Sequence, residues 1–523
     1  SHGEVLLVAL AEQTEQALGE IRDLRDWLRA VDEMGELQRV DGADWNLEIG
    51  GLSELNYRRK PAAAMLFDRI PGYPAGFRVL TGSLASAKRI GATLRLVTDF
   101  TDQRLVEAMR GKPLEWERLA AEFEPVDVET APLFENVVQA AEVDLLRFPA
   151  PRWHEHDGGR YIGTGCMVLT RDPDSGIVNG GAYRMMVQKD GRSASLMPVP
   201  GKHGYQHITK WWDREGRAPV AISFGHDPLL FMVSATEVPT DICELNYAGA
   251  MIGRPLDVVR GPITGLPLPA SSEIAIEGWL QKDERAPEGP FGEWTGYYSG
   301  SASPIPLVDI QRLYFRNDPI LLGSPPSKPP HDYSYMRAAM KSAMIQDALV
   351  KAGIPEIRGV WAHECGGGRM LLAVSIKQRY CGHSRQAGYV AAQCQPAAYM
   401  VRYVIVVDED IDPTNLEEVM WAVCTRSDPA EDIDIMRKSW GSRADPLLEN
   451  RKMPPYNTRA LIDACKPYER IREWPRVAQA SPDFLRELHG KWREVFADAR
   501  FPLPENALSS AEEDTVSQGL QGM

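Results

Sequence analysis

Between about Tyr161 and Phe315 the chain is broken every few residues by Gly, Pro or Asp, and the intervals are short runs of strand formers. Gly165-Cys-Met-Val-Leu-Thr170, Ala182 to Gln188, Val220-Ala-Ile-Ser-Phe224 and Leu230-Phe-Met-Val-Ser234 each read as a strand. Strands at this spacing with turn residues between them predict an antiparallel barrel or sandwich, interrupted by one helix around His207 to Glu215.

The flanking segments have a different texture. An amphipathic helix over about 19–36 places Ile21, Leu24, Trp27, Leu28 and Val31 at helical spacing. Glu36 to Val40, Ala64 to Asp68 and Phe77 to Leu80 then read as strands, and Leu105 to Met109 as part of a further helix. This alternation predicts an α/β unit to roughly residue 115, followed by a mixed connector to about 130. Beyond the Pro-rich Ser324-Pro-Pro-Ser-Lys-Pro-Pro330 the alternation resumes. A helix (about Tyr335 to Lys351) is followed by a strand (Leu371 to Ile376), a helix (about Ser384 to Gln393) and the strand Tyr403 to Val407. That last strand is apolar throughout, which suits a parallel sheet covered on both faces. A helix near Pro482 to Phe496 precedes a polar tail from about 505, and no internal repeat is visible.

The 523 residues give room for two to four domains. Lys plus Arg total 58 against 73 Asp plus Glu, a net charge of −15, which argues against a nucleic-acid partner because phosphate binding needs a basic face. Seven cysteines without a C-x-x-C pair read as reduced thiols of a cytosolic protein, neither a disulfide framework nor a structural zinc site. The sequence shows no apolar run of the ~20 residues that a membrane span requires. Its first residues lack the pattern of a secretory signal, and Ser1-His2 reads as an expression-tag scar. The expectation is an acidic, soluble, cytoplasmic protein.

Chemistry concentrates in Glu288-Gly-Pro-Phe-Gly-Glu293-Trp-Thr-Gly-Tyr-Tyr298, where two carboxylates flank a bend of glycines and a proline. Such a bend can bring both acids to one spot; the bland alternative is a hairpin with two solvated acids. Arg184, in Asn179-Gly-Gly-Ala-Tyr-Arg184-Met-Met-Val, has apolar neighbours that favour burial. A buried guanidinium needs an anion and would find it in those carboxylates; the alternative is a surface arginine on an edge strand. Asn179, His207 and Glu244 together would form an oxygen-rich set with one ring nitrogen, suited to Mn²⁺ or Mg²⁺, although their separation makes a weak motif. Trp153-His154-Glu155-His156-Asp157 lies between Pro and Gly pairs and reads as a surface loop. Cys365-Gly-Gly-Gly-Arg369 resembles an anion nest but lacks the Lys-Ser/Thr ending of a P-loop. Gly382-His383-Ser-Arg385 opens a helix and is either a phosphate contact or a plain helix start.

Taken together, Asn179-Gly-Gly-Ala-Tyr-Arg184, Gln206-His207-Ile and Glu288-Gly-Pro-Phe-Gly-Glu293 resemble the UbiD-type decarboxylases, which act on polyprenyl-hydroxybenzoate, ferulic, vanillic and related acids. Val407-Asp-Glu-Asp-Ile-Asp412 and Trp421-Ala-Val-Cys-Thr-Arg426-Ser-Asp-Pro add to the resemblance, which covers nearly the whole chain in the family's order. It implies an α/β plus β fold. An N-terminal α/β domain would span 1–125, a split β-barrel binding prenylated FMN 126–320, a C-terminal α/β oligomerisation domain 321–504 and a flexible tail 505–523.

The implied cofactors are prenylated FMN, Mn²⁺ and K⁺, with a flavin prenyltransferase as supplier. Asn179, His207 and Glu244 would hold the divalent ion, and Ala182, Tyr183, Arg184, Gln206, Ser234, Ala235 and Thr236 would line the flavin. Arg184, Glu288 and Glu293 would form the family's Glu-Arg-Glu network. Gln395-Pro396 stands where some members carry a lysine near the flavin phosphate, so Lys377, His383 and Arg385 become the candidates for that contact.

Losing CO₂ from an aromatic or alkenyl acid leaves an electron pair on an sp² carbon that side chains cannot delocalise, so a cofactor must take it up. The resemblance implies that the flavin does so through a transient covalent adduct, with Arg184 orienting the carboxylate and Glu293 donating the proton. Ser324 to Arg337 would wall the substrate, with His331, Asp332, Tyr335 and Arg337 as its polar members. Hydroxybenzoic, heteroaromatic and cinnamic-type acids all fit, as do a dimer and a hexamer. The competing expectations are an FMN-dependent oxidoreductase on a split barrel and a non-catalytic assembly protein of the same fold.

Overall fold

The computed structural model describes residues 20–96, 101–298, 300–448, 454–498 and 503. Of these, residues within 1–99, 112–337 and 443–449 form one compact unit, and those within 100–111, 338–442 and 450–523 form a second. The tail expected from 505 and the proposed tag scar lie outside the described residues.

The first unit begins with the helix Leu24–Glu33, capped by the Asp23 side chain, which accepts from the Asp26 N–H. The positions anticipated at helical spacing, Leu24, Trp27, Leu28 and Val31, form its buried face. A four-stranded sheet follows, with β1 (Leu37–Asp41) parallel to β2 (Ala64–Asp68), β2 antiparallel to β3 (Arg78–Thr81), and a late strand, Ile320–Leu322, parallel to β3. The centre of this unit is a curled antiparallel half-barrel of nine strands. It takes β5 (Asn136–Gln139), after the short β4 (Val126–Asp127), then β6 (Arg160–Gly163), β7 (Met167–Arg171), β8 (Val178–Gly181), β9 (Met185–Val187), β10 (Ser193–Leu196) and β11 (Arg217–Gly225). After β12 (Asp257–Arg260) and β13 (Pro267–Pro269), which with β4 form a separate sheet of order β13-β12-β4, the long β14 (Ile274–Glu288) and β15 (Ser303–Phe315) complete it. The strand order is β6-β9-β10-β15-β14-β11-β7-β8, with β5 on β15, and every pairing is antiparallel. Its inner residues, among them Tyr161, Val168, Met185, Ile222, Ile276 and Val308, make one continuous apolar core.

Three helices interrupt this region, where one was expected: His203–Glu215, Pro228–Ser234 and Glu244–Ile252. Leu230 to Ser234 is therefore helical and not a strand. The Asp227 side chain accepts from the Leu229 N–H, Pro228 occupies the first turn, and every residue of that helix is buried. A short apolar run buried on all sides carries no period by which helix and strand can be told apart. Gln206-His207 lies inside its helix, which starts at His203, and Glu244 opens the next helix.

In the second unit a five-stranded sheet has the order β17 (Ile357–Ala362), β18 (Leu371–Ile376), β19 (Tyr403–Asp408), β21 (Tyr456–Ala464), β20 (Ile433–Trp440). Strand β19 runs parallel to both neighbours and is buried from Val404 to Asp408, as its continuous apolar character requires. The helix Asp102–Ala108, which contains Leu105, is counted with this unit. The helix His383–Gln393 matches the sequence reading, and the last helix ends at Lys491, short of Phe496. All seven cysteines are free thiols. Among the described residues no helix is long and apolar enough to cross a membrane.

Candidate active site

The last residue of β14 is Glu288, and the chain then turns sharply through Gly289, whose φ of 93° lies in the left-handed region. Gly158 meets this turn from the loop before β6. Its N–H donates to the Pro290 carbonyl (2.8 Å), and a Cβ there would fall 1.9 Å from the Gly289 oxygen. The turn is closed on its far side by the Glu293 N–H donating to the Tyr297 carbonyl (2.9 Å). Both carboxylates then reach one guanidinium. Arg184 Nη2 donates to Glu288 Oε2 at 2.9 Å and Nη1 to Glu293 Oε1 at 3.3 Å. The Glu288 side chain is 1% exposed and that of Glu293 24%, so the two ends of the network are unequal. Burial lowers the Arg184 pKa, but Glu288 and then Glu293 more than reverse this, and the net shift is upward. The guanidinium also lies over the Phe291 ring, 5.7 Å from its centroid.

Sequence reasoning missed Tyr161. Its hydroxyl donates to Glu288 Oε1 at 2.7 Å, and its ring stacks on Phe291 with centroids 3.7 Å apart. A lone tyrosine in a strand carries no spacing signal that would have marked it.

A second cluster gathers at β7 and β8. Asn179 Nδ2 donates to Glu244 Oε1 (2.5 Å) and the Gly180 N–H to Oε2 (2.7 Å), while Asn179 Oδ1 is buried without a partner among the described residues. Burial pushes the Glu244 carboxyl up to about 7. His207 Nδ1 is 3.1 Å from the hydroxyl of Thr170, which is Asn179's register partner across β7 and β8, so the histidine belongs to the same cluster. Burial lowers the His207 pKa, which keeps the imidazole neutral and able to ligate. Its Nε2 lies 3.9 Å from Asp172, an acid that sequence reasoning also missed. Among the described residues no group of three or more His, Cys, Asp or Glu could hold a metal, and this cluster supplies two of those types plus an amide. An unpartnered amide oxygen, a neutral imidazole and a buried carboxylate that receives only N–H donors nonetheless form a donor set that a divalent cation fits.

The expected flavin-lining residues adjoin this cluster. The Ala182 N–H donates to the Ser234 carbonyl (3.0 Å), and Tyr183 is buried with its hydroxyl 2.6 Å from where a Cβ of Gly204 would stand. Ser234 and Thr236 turn their hydroxyls back to the carbonyls of Phe231 (2.9 Å) and Met232 (2.7 Å). Ala235 is half-buried and Gln206 exposed. The three phosphate candidates lie in the second unit and are engaged there. Lys377 pairs with Glu409 (3.3 Å), Arg385 with Asp434, and His383 Nδ1 accepts from the Arg379 N–H (3.3 Å).

Of the candidate substrate wall, Asp332 is tied down by the Leu84 N–H (2.6 Å) and the Ser83 hydroxyl (3.2 Å), and burial raises its pKa to about 6. Arg337 stacks over Tyr333 (3.9 Å) and Trp294 (5.0 Å), the residue after Glu293. His331 and Tyr335 are buried beside it in sequence. The loop His154, Glu155, His156 is no metal box; with Gly292, Tyr297 and Lys328 it lines an open cavity of about 370 Å³.

The site is thus a guanidinium held between two acids on a curled antiparallel half-barrel. Three family profiles match the chain. They are the N-terminal domain (28–109), the Rift-related domain (124–329) and the C-terminal domain (334–464) of 3-octaprenyl-4-hydroxybenzoate carboxy-lyase, UbiD. The pyrrole-2-carboxylic acid decarboxylase of Pseudomonas aeruginosa is 32% identical over 78% of this chain and 84% of that protein. The phenolic acid decarboxylase of Escherichia coli is 31% identical over 79% and 86%. Among solved structures, the UbiD-class enzyme HmfF of Pelotomaculum thermopropionicum in complex with FMN superposes with a TM-score of 0.77, at 26% identity, over 89% of this chain and 99% of that one. An evolved dimeric form of HmfF holds prFMN, with a TM-score of 0.74, 25% identity and coverage of 88% and 98%. The chain belongs to the UbiD family, and it is a carboxy-lyase with the family's three-domain fold.

Proposed function

We propose that this protein carries out the reversible, non-oxidative decarboxylation of an aromatic, heteroaromatic or α,β-unsaturated carboxylic acid with prenylated FMN. Arg184 held between a buried and a partly exposed glutamate is the observation that carries the reading. We assign the divalent ion, Mn²⁺, to Asn179, His207 and Glu244, with K⁺ as its companion. The flavin, when bound, would supply the electron sink that loss of CO₂ requires.

The side chains do the rest. Glu288 keeps Arg184 in place at 2.9 Å, while the longer 3.3 Å contact to Glu293 is the one an incoming carboxylate can replace. Once the substrate takes that position, the Glu293 carboxyl is released from Arg184. The overall change, a carboxylate and one proton becoming CO₂ and a C–H bond, needs a single proton at the carbon that CO₂ leaves. Glu293 donates it and recovers one from solvent through its exposed edge. Arg184 fixes the direction in which CO₂ departs.

The assay is protein co-expressed with a flavin prenyltransferase and offered pyrrole-2-carboxylate, hydroxybenzoates and cinnamic-type acids, with CO₂ release and product followed. Turnover of one of these that is lost in Glu293→Gln, with flavin retained, supports the reading. Redox turnover of unmodified FMN without CO₂ release overturns it. We also infer a homo-oligomer built through the second unit. Its edge strand β20 exposes Ile435 and Trp440, and Trp440 faces the equally exposed Tyr456 in register.

A further inference from the structure

We propose that the Tyr161 hydroxyl is a positioning group of this site, fixing the Glu288 carboxylate where it anchors Arg184. The inference rests on the decarboxylase reading above and adds to it a residue outside the Glu-Arg-Glu network.

Three contacts carry it. Tyr161 stands on β6, fully buried, and donates to Glu288 Oε1 at 2.7 Å, while the other oxygen of the same carboxylate accepts from Arg184 at 2.9 Å. Each oxygen of Glu288 therefore receives a hydrogen bond, one from Tyr161 and one from Arg184. The ring of Tyr161 lies against Phe291 at 3.7 Å and an interplanar angle of 20°. Phe291 belongs to the bend that separates the two glutamates, so one tyrosine holds both the Glu288 carboxylate and the path that leads to Glu293.

Burial, and then the Glu288 charge, push the Tyr161 pKa far up, so the phenol keeps its proton and acts only as a donor to the carboxylate. Arg184, Glu293 and Asp157 are the other titratable groups facing this pair, and Asp157 is itself held by the Tyr298 hydroxyl at 3.1 Å.

The test is Tyr161→Phe in the full-length, prenylated-FMN-loaded protein, a change that keeps the stacked ring and removes only the donor. The expected result is parental flavin content and KM and a kcat lower by about tenfold, as for the loss of one charge-assisted hydrogen bond. Parental kcat overturns the proposal. In cofactor-free protein carrying ¹³C-glutamate, the infrared carboxylate stretch that vanishes in Glu288→Gln should shift in frequency once Tyr161→Phe removes its donor; an unmoved band also overturns it. Should Tyr161→Phe fail to fold, 3-fluorotyrosine at 161 keeps the shape and strengthens the donor, and the same band must then shift in the opposite sense. A parental protein that decarboxylates no acid defeats the decarboxylase reading alone, because the infrared arm reads Tyr161 and Glu288 without turnover.

Discussion

Glu288→Gln and Glu293→Gln each remove one charge from the same guanidinium, yet the structure assigns them very different costs. The Glu288 side chain is 1% exposed and accepts two hydrogen bonds, at 2.7 and 2.9 Å. A hydrogen bond to a charged group contributes about 1.5–3 kcal/mol, and a neutral one about 1. Gln can accept only through its oxygen and turns an NH₂ toward a second donor, so one contact weakens and the other becomes a clash of donors. We expect a loss of about 3 kcal/mol, of the order seen when a buried pair is broken. Glu293 is 24% exposed and its contact to Arg184 is 3.3 Å, so solvent screening holds that contact's contribution to about 0–1 kcal/mol. At ~2–3 °C per kcal/mol for a unit of this size, Glu288→Gln should lower Tm by about 6–9 °C and Glu293→Gln by less than ~3 °C. The measurement is thermal unfolding of cofactor-free protein by circular dichroism, because bound flavin would add stability by mass action. Activity should rank them the other way, with Glu293→Gln losing about 10²–10⁴ in kcat as the proton donor disappears. Equal Tm shifts, or a larger one for Glu293→Gln, would refute the assignment of anchor and donor.

Three further outcomes are expected. Gly158→Ala drives a Cβ to 1.9 Å from the Gly289 oxygen, and the displaced bend should cost about 1–3 kcal/mol and at least tenfold in kcat, measured by unfolding and CO₂ release. Asn179→Ala removes the unpartnered amide oxygen beside Glu244 and should lower bound manganese by more than ~10-fold in elemental analysis, with flavin lost in parallel. Asp332 has a pKa of about 6 in the folded chain against 3.8 ordinarily, so the folded state holds the extra proton between these values and stability falls as pH rises from about 4 to 6. Asp332→Asn should flatten that slope in denaturant titrations taken at successive pH values; an unchanged slope counts against the assignment.

What the sequence made legible follows from how far each physical signal reaches along the chain. Strands Ala64–Asp68 and Leu371–Ile376 were found to the residue because their burial is written in consecutive apolar side chains. Pro228–Ser234 was misread because full burial erases the periodicity that separates helix from strand, although Asp227-Pro228 supplied a start signal that composition alone obscured. Glu288, Glu293 and Arg184 could be nominated together because glycine and proline around the acids announce an unusual backbone, and because a guanidinium among apolar residues requires an anion. Tyr161 had no such announcement. Its partner Glu288 is 127 residues away on β14, four strands from β6 in the sheet order, and the two meet only because the sheet curls back on itself. Strand order decides that meeting, and no rule of local spacing encodes strand order. A residue whose chemistry depends on register across a sheet therefore becomes visible only when the sheet is, which is why the donor to Glu288 had to come from the structure while the arginine and the acids did not.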